Sequence, residues 1–292
     1  MERDFFFVKK LLNKNFRYFC SRMIKRIFLS VNKTIQDVEK QSLEYRKANP
    51  AFDWKLVLLI VFSCLMLISI EYLGNSPGYF MLADFFGFMG FDSLEQNFLD
   101  FMQKSHNPHL YRLCYWVVII LFSYLIFPAL FIRLILKKPL SEFGMSAKNL
   151  LKEYRIILVF LLVMLPLVYL FSQTTAFQER YPFYRLGKNE ALWPDFWIWQ
   201  VFYLLQFFAL EFFFRGFLVH SLKNRFGIYA ILIMVIPYCM IHFGKPMPET
   251  IAAIFAGIVL GYLSIKNKSI WLGVFIHYAV AISMDLLALY YR

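Results

Sequence analysis

Residues 209–218 read ALEFFFRGFL, an acid and a base four positions apart in a run that is otherwise apolar. On a helix this spacing puts Glu211 and Arg215 on one face, close enough to pair. The apolar run extends from Trp193 to about Leu222, which exceeds the roughly 20 residues needed to cross a bilayer. A charge at the bilayer centre costs at least about 2.5–3.5 kcal/mol on insertion scales, so it normally faces a protein interior. The stretch therefore predicts a membrane helix that turns an ionic face towards other helices.

The rest of the chain agrees. Of 292 residues, 60% are hydrophobic, 20% aromatic and only 17% charged, and the mean hydropathy is +0.55. Soluble domains average about 45–50% apolar and about 25% charged, so a soluble globule, a disordered chain and a collagen-like chain are all excluded. Further apolar runs cover Trp54–Leu73, Leu113–Leu136, Ile156–Phe171, Tyr229–Phe243, Thr250–Ser264 and Ile270–Tyr290. With the first run they make seven. The expected fold is an all-α, polytopic integral membrane helical bundle of about seven transmembrane helices. The mixed, aromatic stretch 76–112 reads as an interfacial loop with one amphipathic helix.

Charge orients the path. Residues 1–55, the loop 133–155 and the turns at Lys223–Arg225 and Lys266–Lys268 hold 23 Lys and Arg, against seven on the other side. The positive-inside rule then predicts a multi-pass protein of the cell membrane with a cytoplasmic N-terminus. The net charge of +12 fits anionic lipid, so membrane lipid is the expected partner and nucleic acid is not. Val8, Leu11, Leu12, Phe16, Phe19, Met23 and Ile27 recur at helical spacing with cations between them, which suits a helix on a membrane surface. No cleavable signal peptide is read. The four cysteines show neither metal spacing nor a disulfide framework.

The ionisable residues singled out as intramembrane candidates are Glu211, Arg215, His242, His277 and Asp285. Counted from the intervening turns, Glu211 and His242 reach nearly the same depth, and Asp285 comes close to it. Such a set can support hydrolysis. A carboxylate serves as base towards water, a neutral imidazole holds that water, and a second donor stabilises an oxyanion. The cofactor is left open. His242, His277 and one acid have the chemistry of a two-His-one-acid zinc site, whereas a glutamate-driven reaction needs no metal. Ala253, Gly257 and Gly261 form a small-residue stripe for close helix packing.

Glu211–Gly216 as ExxxRG, the histidine closing the fifth run, and GIVLGYLSIKNKSIWLGVFIH at 257–277 resemble the CPBP family of CAAX prenyl proteases and bacteriocin-processing membrane proteins (Abi). PLSEFGMS at 139–146 also resembles a loop of that family. The resemblance covers about residues 125–290. It divides the chain into a basic N-terminal region (1–53), a first span with its interfacial loop (54–124) and a CPBP-like domain (125–292). It implies an intramembrane endopeptidase acting on a membrane-proximal or lipid-modified peptide or protein substrate.

The family motifs are EExxxR, FxxxH and HxxxN. Glu211 and Arg215 match the second glutamate and the arginine. Tyr238–His242 matches FxxxH with Tyr for Phe, and His277 matches the third histidine. Leu210 stands where the first, water-activating glutamate falls, and Ala281 where the asparagine falls. Two accounts follow. In one, Glu211 or Glu249 serves as base and Asp285 replaces the asparagine. In the other, the chain binds a partner or peptide without cutting it. A transporter with an ionic path is a third class.

Overall fold

The computed structural model describes the backbone of residues 2–146, 154–187 and 190–291, with side chains from residue 25 onward. The helices are α1 (Glu2–Ala48), α2 (Trp54–Leu73), α3 (Ser76–Phe88), α4 (Asp92–Lys104), α5 (Pro108–Leu136), α6 (Tyr154–Ser172), α7 (Thr175–Arg180), α8 (Asp195–Phe226), α9 (Tyr229–Met240), α10 (Met247–Asn267) and α11 (Trp271–Tyr290). Among the described residues there is no named strand, only an isolated bridge between Met145 and Ser269.

Among the described residues, six helices (α2, α5, α6, α8, α10 and α11) are long and apolar enough to cross a membrane. The fold is thus the polytopic helical bundle expected. The fifth apolar run forms the 12-residue α9, about 18 Å long at 1.5 Å per residue, so it is shorter than a full span. The stretch 76–112 holds two complete helices, α3 and α4, and the start of α5, where one amphipathic helix was expected.

Local chemistry sets the ends. Asp53 caps α2, its Oδ1 accepting from Leu56 N at 3.2 Å. Asn107 caps α5 through Leu110 N at 3.2 Å, with Pro108 at the first helical position. Such caps satisfy amide donors that have no intrahelical partner.

The described residues fall into two units. The first is residues 1–50 with 223–229. In it Glu39 Oε1 accepts from Ile228 N at 2.8 Å, and Arg225 Nη1 donates to Asn49 O at 3.1 Å. Of the two-faced pattern expected of residues 8–27, all but Lys25, Arg26 and Ile27, which are exposed, lies outside the described side chains.

The second unit is 51–222 with 230–292. Its central rod is α8: 72% of its most apolar window is buried, against 17% for α2 and 11% for α6. The outer helices therefore turn apolar side chains outward, as hydrocarbon allows. α11 packs on α6 and α8, and α5 packs on α8. The small stripe of α10 receives α9: a Cβ at Gly257 would lie 2.9 Å from Val235 Cγ2, and one at Gly261 2.9 Å from Ile231 Cγ2. Cys64, Cys114 and Cys239 are free thiols.

Candidate active site

Glu211 ends the regular part of α8, and Arg215 lies in the π-helical stretch Phe212–Leu218 that follows. Such wider turns occur often at functional sites. Arg215 Nη1 is 3.2 Å from Glu211 Oε1. The same oxygen takes His277 Nδ1 at 2.7 Å. Glu211 and Arg215 are fully buried, and Glu211 Oε2 has no hydrogen-bond partner. Arg215 also lies over the Tyr238 ring, its Cζ 3.8 Å from the centroid, where the π face attracts the cation.

Tyr238 ties this pair to the two histidines. Its hydroxyl is 2.9 Å from His277 Nε2, so both His277 nitrogens are engaged. Its backbone oxygen is 2.8 Å from His242 Nδ1. That nitrogen must carry the proton, which leaves His242 Nε2 as the acceptor in the neutral ring.

A cavity of about 1340 Å³ runs beside these groups. Gln206, Leu210, Tyr238, His242, Glu249 and His277 all contribute to its lining, which is mostly apolar. Leu210 is on this wall. Glu211 and Arg215 are behind it. Glu249 Oε1 accepts from Lys245 Nζ at 2.7 Å. Tyr181 donates its hydroxyl to the same carboxylate, 2.8 Å from Oε2. Burial, and next the charge of Glu249, push the Tyr181 hydroxyl well above its usual pKa, so it remains a donor. Thr250 Oγ1 donates to His242 O at 2.9 Å and ties the start of α10 to the histidine's turn.

Asp285 is elsewhere. Its Oδ1 accepts from Phe183 N at 3.1 Å. Its Oδ2 accepts from Gln200 Nε2 at 3.0 Å and Trp199 Nε1 at 3.3 Å. The expectation that it joins Glu211 and His242 is therefore corrected. The count from the turns assumed that the helical hairpins end level. The Glu211–His277 contact sets the register of α11 on α8 instead, and eight residues further, about 12 Å, α11 brings Asp285 to Gln200. There it anchors the 181–187 segment.

Zinc is one of the two readings that the sequence leaves open for the cofactor. Among the described residues no group of three His, Cys, Asp or Glu side chains could hold a metal. With both His277 nitrogens engaged, His242 Nε2 is the only imidazole nitrogen of the pair still open.

Sequence reasoning singled out Glu211, Arg215, His242, His277 and, as an alternative base, Glu249. The structure brings the first four together through Tyr238 and puts Glu249 on the same cavity. It missed Gln206, Tyr181 and Gly273. Gln206 was visible as an amide in an apolar run. Nothing near Tyr181 announces a site, and Gly273, though inside the stretch 257–277, carries no side chain to mark it.

Residues 192–283 match the family model described as type II CAAX prenyl endopeptidase Rce1-like. This bears out the motif resemblance over α8 to most of α11. No curated protein and no solved structure matches the chain.

Proposed function

We propose that this multi-pass membrane chain is a peptide hydrolase of the CAAX endopeptidase type, cutting a membrane-proximal or lipid-modified peptide seated in the cavity. The observation that carries the reading is that Glu249 and His242 both line one mostly apolar cavity. Glu249 takes a proton from a water held at His242 Nε2. The oxygen adds to the scissile carbonyl carbon, the C–N bond breaks, and the proton passes from the Glu249 carboxyl to the departing amine. Lys245 and Tyr181 hold the carboxylate in place. His277 lines the cavity beside them, its two nitrogens held by Glu211 and Tyr238, with Arg215 behind Glu211. No step uses a metal.

Leu210 favours a second reading, since an apolar side chain lines the cavity where the family's first glutamate falls. In that reading the cavity binds a peptide and leaves it whole. Purified full-length protein, incubated with hydrophobic peptides and followed by mass spectrometry, separates the two. Cleavage that disappears in Glu249→Gln and in His242→Ala supports the hydrolase. Retained peptide of unchanged mass supports the binder. Proton flux in liposomes is the signature of a transporter.

A further inference from the structure

The cavity has a mouth, where the lining residues Arg112 and Arg180 are exposed, and a buried floor partway along the helices of the second unit. Its lining at one end comes from the last residues of α2 (Gly74), the first turns of α5 (Arg112), α7 (Arg180) and the turn into α10 (Lys245, Glu249). Its other end is formed by Tyr124, Phe160, Leu260 and Ile276. Arg112 to Tyr124 on α5 is about 18 Å of helix, and Glu249 to Leu260 on α10 is about 16 Å. Polar groups thus ring the mouth, and the depth is apolar.

The basic connections are at the far end. The end of α5 and the loop after it carry Arg133, Lys137 and Lys138, and the end of α10 and the turn after it carry Lys266 and Lys268. These two connections meet: Ile270 N donates to Gly144 O at 2.9 Å, and Met145 bridges to Ser269. The basic segment before Trp54 enters α2 from its N-terminal end, and Gly74 at the opposite end lines the mouth. Lys and Arg gather in cytoplasmic connections.

We infer that the cavity is loaded from the non-cytoplasmic face, and that its substrate is a translocated hydrophobic peptide. The apolar part of that peptide enters towards Leu260, which leaves a peptide bond level with Glu249 and His242. This substrate class rests on the hydrolase reading. The sidedness does not.

The test uses full-length protein in intact cells, with Cys20, Cys64, Cys114 and Cys239 changed to Ser. Single cysteines are placed at the mouth end, Ser76→Cys and Thr175→Cys, and at the basic end, Ser141→Cys and Asn267→Cys. Ser76, Thr175 and Ser141 are exposed and Asn267 is half-buried, so two positions report on each end. Labelling by a membrane-impermeant maleimide is scored against the same variants opened with detergent. The expected result is labelling of positions 76 and 175 in intact cells, and of 141 and 267 only after opening. The reverse pattern, or labelling of both ends in intact cells, overturns the inference. If the expected pattern appears and no peptide is cut from either side, the sidedness stands and the hydrolase reading falls.

Discussion

A Cβ at Gly273 would lie 2.7 Å from Cδ of Glu211 and closer still to Oε2. The carboxylate that organises the buried charges occupies the space that a missing side chain leaves on α11. Close approach of this kind is open to glycine alone. Gly273→Ala is expected to push Glu211 off His277 Nδ1 and cost about 1–3 kcal/mol, the range of overpacked cores. Thermal unfolding in detergent measures it, and an unchanged midpoint would show that the carboxylate has room to move.

Glu249 and Glu211 are expected to fail in different ways. Glu249 is on the cavity wall, so Glu249→Gln should lower kcat about 100-fold or more with little change in unfolding temperature. Glu211→Gln leaves Arg215 buried without its counter-charge, and breaking a buried pair typically costs about 3–5 kcal/mol. The measurement is activity beside stability for each variant. Equal stability loss in both would contradict the division of roles.

Leu210 tests whether the cavity wall alone limits the chemistry. Leu210→Glu places a carboxylate on the lining beside Tyr238 and His242. Peptide cleavage should rise at least about tenfold if water activation is limiting, within the range general bases supply. Turnover by the variant of a peptide that the parent only retains would favour the binding reading for the natural chain.

Asp285 accepts from three donors, and an amide replacing one carboxylate oxygen cannot accept there. Asp285→Asn is expected to cost about 1–3 kcal/mol, the penalty for orphaned buried partners, and to loosen the segment at Phe183. Limited proteolysis within 181–187 should speed up, with less effect on kcat than Glu249→Gln has. A collapse of kcat without added proteolysis would return Asp285 to the chemistry.

The sequence alone determined the bundle, because a bilayer demands long apolar helices whose internal hydrogen bonds satisfy the backbone. Composition and run length suffice for that. It also picked out Glu211, Arg215, His242 and His277, since charge in an apolar run is costly wherever the helix sits. Tertiary structure decided which of these meet the cavity. Leu210 and Glu211 are neighbours in the chain, yet a turn of about 100° per residue sends one to the cavity and the other behind its wall. The register of α11 against α8 put Asp285 beside Gln200, and the fold of the 181–187 segment brought Tyr181 to Glu249. Both depend on packing between segments far apart in the chain, which spacing along it does not encode.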